Sequence, residues 1–348
     1  MSTTFGRKEL DDIYKSKEPV SDLEHNLEKR PSTEGSSANV GEWGRRTMVT
    51  LALTVLTSSQ GLLIAMSKAN DIKYEYSYTA ANCTVEITKC IISFAVLSRV
   101  WQQQGVNDDT KLASTWEELR VYPIPAAVYL VKNLLQYVIF LYVDAPSYQI
   151  LKNLNIISTG VLYRVFLKKT LNPVQWSALI LLALGCTIAQ MTSQSEKVLS
   201  APVMGIILAI IMAFLSGAAG VYTELIMKKR PQRNVNVQNI YLYSFGILFN
   251  AFALFIYDYD AVVGKGFFHG FSPIVLLMIL NHALSGIAVS LVMKYADNIV
   301  KVYSTSVAMI LTTLVSIPLF GFTLTLPFVL GTSVVSVAVF LHYQSKAK

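Results

Sequence analysis

Ten stretches of this chain are apolar over the ~20 residues that a bilayer crossing requires. They fall at about 47–68, 78–100, 121–142, 145–167, 173–192, 202–228, 236–257, 272–293, 297–319 and 325–344. No other feature restricts the fold as much. A backbone in hydrocarbon must satisfy its own hydrogen bonds, and isolated runs of this length do so only as helices. The expectation is an all-α membrane protein with ten transmembrane helices. Composition agrees, with 53% hydrophobic residues, 15% charged residues and a mean hydropathy of +0.46. Residues 1–46 are polar and mixed in charge, and they include Pro31-Ser-Thr-Glu-Gly-Ser-Ser37. Such a segment lacks the apolar surface for a core, so a disordered tail is expected ahead of a ten-helix domain at 47–344.

The net charge of +7 sits largely in short connections between apolar runs. That placement points to membrane topology rather than to nucleic acid, and no nucleic-acid partner is expected. If the tail is cytosolic, nine basic residues face the cytosol: Lys168, Lys169, Lys228, Lys229, Arg230, Arg233, Lys294, Lys346 and Lys348. Four face the other side: Lys68, Lys73, Lys197 and Lys265. The excess places both termini in the cytosol. The first apolar run follows a polar tail and is too long for the core of a cleaved leader. Cys83, Cys90 and Cys186 lie in apolar runs without metal spacing, so neither a disulfide framework nor a metal or other cofactor is expected.

A weak internal echo suggests duplication. Tyr142-Val-Asp144 followed by Tyr148 parallels Tyr295-Ala-Asp297 followed by Lys301. Helices four and five then match nine and ten, giving units of about 47–192 and 202–344. Units with an odd number of spans must be inverted relative to each other, a common plan for transporters with a midplane site.

Polar residues inside the spans gather on single faces. Tyr148, Lys152, Asn155 and Thr159 share one face of helix four, and Asn82, Glu86, Lys89 and Ser93 one face of helix two. Helix six carries Ser216, Gly220 and Glu224, and helix seven Asn239, Tyr243, Gly246 and Asn250. Helix three offers Tyr129, Asn133 and Gln136, and helix eight Asn281, His282 and Ser285. Lys301 lies in the first turns of a spanning run, where a cation costs roughly 2.5–3.5 kcal/mol to insert. It therefore either faces a cavity that receives an anion or snorkels to the interface. Lysines on such faces neutralise phosphate, amides read a base edge, and tyrosines stack or donate to hydroxyls. Glu86 and Lys89 are spaced to pair with each other, Lys152 has Glu86 as an alternative partner, and Glu224 is close enough to the basic loop to be simply solvated. Signatures of hydrolytic and metal-dependent enzymes are missing from the sequence, so an enzyme is not expected.

The segment Lys294-Tyr-Ala-Asp-Asn-Ile-Val-Lys-Val-Tyr-Ser-Thr-Ser306, together with Ala219-Gly-Val-Tyr-Thr-Glu224, Lys228-Lys229 and Leu171 to Trp176, resembles the nucleotide-sugar transporter family. Within it, the plant-type branch named for CMP-sialic acid is the nearest in pattern. The resemblance spans about 45–344 and implies the drug/metabolite transporter fold, two inverted five-helix repeats in a Golgi membrane. It implies exchange of a cytosolic nucleotide sugar, CMP-linked and acidic, for luminal CMP. A UDP-sugar such as UDP-galactose is the alternative substrate, and a membrane enzyme acting on nucleotide-linked sugars is the alternative class. By the same resemblance Lys301 holds phosphate, Tyr148 and Asn133 line the nucleotide pocket, and Asn239 sits near the base. Tyr295, Lys89 and Glu224 also fall on family motif positions. The chain departs from that pattern at Asn155, where CMP- and UDP-sugar branches carry lysine. Its own lysine is Lys152, one turn earlier, an arrangement resembling the GDP-mannose branch, so base and sugar both stay open.

Overall fold

The computed structural model describes residues 35–66, 76–112, 115–139, 142–143, 150–191, 202–320 and 325–346. The chain divides into Met1–Arg45 and Arg46–Lys348. The first unit is described only from Gly35, where helix α1 (Gly35–Met66) begins, so the last residues of the expected tail are helical. The second unit is all helix among the described residues. It contains α2 (Tyr78–Gln104), α3 (Trp116–Leu119), α4 (Pro123–Ile139), α5 (Leu154–Leu167), α6 (Pro173–Ala189), α7 (Val203–Lys229), α8 (Val235–Tyr257), α9 (Tyr259–Lys265), α10 (Pro273–Tyr295), α11 (Asn298–Phe320) and α12 (Leu326–Lys346).

Six of these helices are long and apolar enough to cross a membrane: α2, α7, α8, α10, α11 and α12. The other four expected spans coincide with α1, α4, α5 and α6, of which α6 is a shorter apolar helix. Several starts fall where capping chemistry dictates. The Ser77 hydroxyl accepts from Ala80 N at 3.1 Å at the head of α2. Asn172 and Gln175 form a reciprocal capping box before Pro173 at the head of α6. Ser272 with Pro273 opens α10. Each side chain satisfies a donor that the first helical turn leaves unpaired.

The exposure pattern is that of a protein in lipid. On α8, Gln238, Asn239 and Asn250 are buried while Leu248, Phe252, Phe255 and Ile256 point outward. Polar groups inside and large apolar groups outside invert the arrangement of a water-soluble helix. All three cysteines are free thiols.

Helices α2 and α8 pack extensively, as do α6 and α12, while α5 and α4 pack mainly on α7, and α5 also touches α11. In addition α4 packs on α8 and α2 on α10, and α5 packs on α6 and α11 on α12. The α6–α12 contact is backbone against backbone. A Cβ at Gly331 would meet Ala189 N at 2.3 Å, and one at Gly185 would meet Val335 N at 2.9 Å. Small residues of this kind let membrane helices approach closely.

The ends of α7, α8 and α10 are tied together. The Lys294 ammonium donates to the carbonyls of Met227 (3.1 Å), Arg230 (2.8 Å) and Arg233 (3.0 Å) and to Gln238 Oε1 (3.1 Å). The end of a helix leaves carbonyls without intrahelical donors, and Lys294 joins the Gln238 amide on Met227 O and Arg233 N on Arg230 O in satisfying them. Beside them, buried Glu118 on α3 pairs with Arg230 at 3.0 Å and Arg233 at 3.1 Å.

Candidate functional site: a cationic chamber

The expected helix four is not continuous. Residues 150–152 are helical, a turn follows at Asn153, and α5 starts at Leu154. Asn153 N donates to Ile150 O at 3.1 Å and Ile156 N to Asn153 O at 2.9 Å, both spanning three residues rather than four. The Asn153 amide donates to Gln190 Oε1 at 3.0 Å, anchoring the turn to the end of α6. This tighter winding brings side chains three apart over one another, which keeps Lys152 and Asn155 on one side. Lys152 is exposed and Asn155 half-buried, with the Asn155 amide oxygen accepting from Thr159 Oγ1 at 3.3 Å.

Lys301 sits in the first turn of α11. That helix starts where it does because the Asp297 carboxylate accepts from Val300 N at 2.7 Å, an aspartate N-cap. Lys301 is half-buried, and its ammonium lies 3.5 Å from the Asn298 amide oxygen.

A third lysine joins these two. Lys132 on α4 is half-buried, 6.0 Å from the centre of the Tyr129 ring, and lies within electrostatic reach of both Lys152 and Lys301. Lys301 is likewise within reach of Lys152. None of the three has a carboxylate partner among the described residues. Lys132 was absent from the sequence-derived set, although a lysine in the apolar run 121–142 was a usable signal. Three like charges converge only at a price in repulsion, which an anion bound between them would relieve.

The remaining expected residues take different places. Asn239 on α8 is fully buried, and among the described residues neither its amide nitrogen nor its amide oxygen has a hydrogen-bond partner. A buried amide left with one donor and one acceptor is costly, and it matches the edge of a base or a ribose. Ser216 and Tyr295 are half-buried. Glu86 bonds Lys89 at 2.5 Å, so the paired reading holds for these two and Glu86 is not the partner of Lys152. Gly246 and Gly286 make room for that pair: a Cβ at either would come within 2.7 Å of the Glu86 carboxylate or the Lys89 stem. Glu224 is not solvated. It has no exposure, one oxygen accepts from Lys228 at 2.8 Å, and the other accepts from Asn298 N at 2.7 Å. His282 is satisfied within its own helix, 3.0 Å from Met278 O. Tyr148 lies outside the described residues, as does the side chain of Asn133, whose backbone belongs to α4.

Comparison with known proteins matches the chain to one family. The family description "Nucleotide-sugar transporter" fits residues 45–343. The chain belongs to the nucleotide-sugar transporter family. Among its relatives, "CMP-sialic acid transporter 2" of Oryza sativa subsp. japonica is 62% identical, over 90% of this chain and 88% of its own length. "CMP-sialic acid transporter 1" of Arabidopsis thaliana is 40% identical, over 85% and 88%. "UDP-galactose/UDP-N-acetylglucosamine transporter srf-3" of Caenorhabditis elegans is 31% identical, over 88% and 85%. A solved protein structure with 11% identity superposes with a TM-score of 0.61, covering 85% of this chain and 96% of its own; that likeness concerns the fold alone. As expected from its residues, this nucleotide-sugar transporter is a multi-pass membrane protein and not an enzyme.

Proposed function

We propose that this transporter is a Golgi antiporter that exchanges a cytosolic CMP-linked acidic sugar for luminal CMP, with both termini in the cytosol. The observation that carries the proposal is the convergence of Lys132, Lys152 and Lys301 without a carboxylate partner among the described residues. CMP carries about −1.5 to −2 charge near neutral pH, as other phosphomonoesters do. A CMP-linked acidic sugar spreads a similar charge over a phosphodiester and a carboxylate. One cationic chamber serves both loads, and the exchange is nearly neutral across the membrane. Lys301 and Lys152 hold the phosphate, with Asn155 on the same side. Asn239 reads the nucleoside, while Tyr148, Asn133, Ser216 and Tyr295 line the rest.

The ten-span, inverted-repeat architecture belongs to the same proposal. If each of α1, α2, α4, α5 and α6 is exchanged for its counterpart among α7, α8, α10, α11 and α12, the contacts α2–α8, α5–α11 and α6–α12 map onto themselves. The contacts α4–α8 and α2–α10 exchange, as do α5–α6 and α11–α12. Two repeats rocking about such an axis expose a midplane site to one side at a time. An empty chamber with unpaired lysines reorients less readily than a loaded one, which makes the carrier an exchanger.

A second reading, a UDP-sugar substrate, is supported by the relative named for UDP-galactose and UDP-N-acetylglucosamine, 31% identical over 88% of this chain. Uptake of labelled CMP-sialic acid and UDP-galactose into reconstituted vesicles preloaded with CMP, UMP or GMP separates the two. CMP-driven uptake of the CMP-sugar is the expected result. Stimulation by UMP alone reassigns the base, and equal rates from empty and loaded vesicles refute exchange.

A further inference from the structure

Glu224 on α7 and Asn298 on α11 form a contact that sequence spacing does not reveal. The Glu224 carboxylate accepts from the backbone N–H of Asn298 at 2.7 Å, the first residue of α11. Its other oxygen holds Lys228 at 2.8 Å, and the side chain has no exposure. One turn before Glu224, Gly220 receives the Asn298 side chain. A Cβ there would lie 2.5 Å from the Asn298 amide oxygen and 2.8 Å from its nitrogen. That amide oxygen accepts from the Lys301 ammonium at 3.5 Å. The Asn298 amide nitrogen is buried and has no acceptor among the described residues.

We propose that Glu224 is a positioning residue rather than a ligand contact. It seats the first turn of α11 on α7, and through Asn298 it aims the Lys301 ammonium and the unused Asn298 donor at the phosphate of the load. The proposal rests on the reading of Lys301 as a phosphate ligand. A carboxylate on a helix N-terminus is a favourable anchor, because it meets unpaired N–H groups and the positive end of the helix dipole. It also keeps the Glu224 carboxylate occupied by Lys228 and the Asn298 N–H, as the Val300 N–H occupies the neighbouring Asp297. With α7 and α11 bound in this way, the order of the phosphate site depends on a contact between two helices of the second proposed repeat.

The test compares Glu224→Gln, Glu224→Ala and Gly220→Ala in the purified full-length transporter. Glutamine keeps an acceptor for the Asn298 N–H, so CMP affinity stays within about threefold of the starting protein, whereas alanine weakens it at least about tenfold. Gly220→Ala leaves Glu224 intact but displaces the Asn298 amide, and it weakens CMP binding as well. This variant decides the matter if Glu224→Ala does not fold. Equal losses in Glu224→Gln and Glu224→Ala make Glu224 a ligand contact and overturn the proposal, and so does unchanged affinity in Glu224→Ala or in Gly220→Ala. A second readout needs no nucleotide: the labelling rate of the thiol in Lys301→Cys by a small cationic reagent. That rate changes at least about fivefold when Glu224→Ala is added and stays constant with Glu224→Gln. If the starting protein binds no CMP, the proposed function fails while the labelling rates still decide the role of Glu224. Rates equal in all three backgrounds refute it.

Discussion

Lys89 donates to the Glu86 carboxylate at 2.5 Å and holds its ammonium 4.4 Å from the centre of the Tyr243 ring. The pair lies within α2, and the contact of Lys89 with the Tyr243 ring joins it to α8. Removing one partner leaves the other charge in a poorly hydrated place. Lys89→Met is therefore expected to lower stability by about 2 kcal/mol, below the 3–5 typical of a fully buried pair, since the side chains keep 12% and 20% exposure. Combining it with Glu86→Leu recovers most of the loss. Thermal unfolding in detergent measures both, and a double variant no better than the single one contradicts the pairing.

Gly331 limits how closely α6 and α12 approach. A Cβ there would meet the Ala189 backbone at 2.3 Å, and a backbone cannot swing aside as a side chain can. Gly331→Ala is expected to separate the helices and to cost about 1–3 kcal/mol. Gly264→Ala, where nothing lies within 4 Å, is the control for the added methyl group. Equal unfolding midpoints for the two variants exclude the packing argument.

Lys301→Ala removes a cation whose contact among the described groups is one amide oxygen at 3.5 Å. Little of the fold depends on that contact, so the unfolding midpoint stays within about 3 °C. Exchange in vesicles nevertheless falls to the level of empty vesicles. Normal transport by this variant means that the phosphate binds elsewhere.

Lys152 and Asn155 lie three residues apart on either side of the tightened turn at Asn153. Lys152→Ala is expected to abolish exchange. Lys152→Asn combined with Asn155→Lys restores part of it and moves selectivity toward the pattern of relatives with lysine at the second position. Competition of labelled CMP by CMP, UMP and GMP reads the selectivity. Unchanged CMP affinity in Lys152→Ala removes this residue from the site.

Much of the fold was legible because the signals are local. Apolar length marked stretches that are helical, six of them long and apolar enough to cross a membrane among the described residues. Ser77, Asn172 and Ser272 mark helix starts through bonds to residues three positions on. The break at Asn153 was not legible. The apolar pattern runs through it, and the tight turn is held by Gln190, which is distant in sequence. The start of α1 at Gly35 is hidden for the opposite reason, since a polar segment carries no periodic stripe. At the site, Lys152 and Lys301 were readable because a lysine in an apolar run needs a reason. Lys132 met the same criterion, but its tie to the other two depends on three helices converging. Glu224 looked like a surface group beside a basic loop until the head of α11 was seen packed against it.

The central claim is that the lysine chamber holds the phosphate of the load. Competition of labelled CMP by unlabelled CMP and by cytidine tests it most directly, because the two differ by the phosphate alone. The starting protein is expected to prefer CMP by at least about 30-fold, the equivalent of about 2 kcal/mol from a desolvated charge pair. In Lys301→Ala that preference drops at least about tenfold, while cytidine affinity stays the same. Equal competition by CMP and cytidine in the starting protein, or an undiminished preference in Lys301→Ala, contradicts the account.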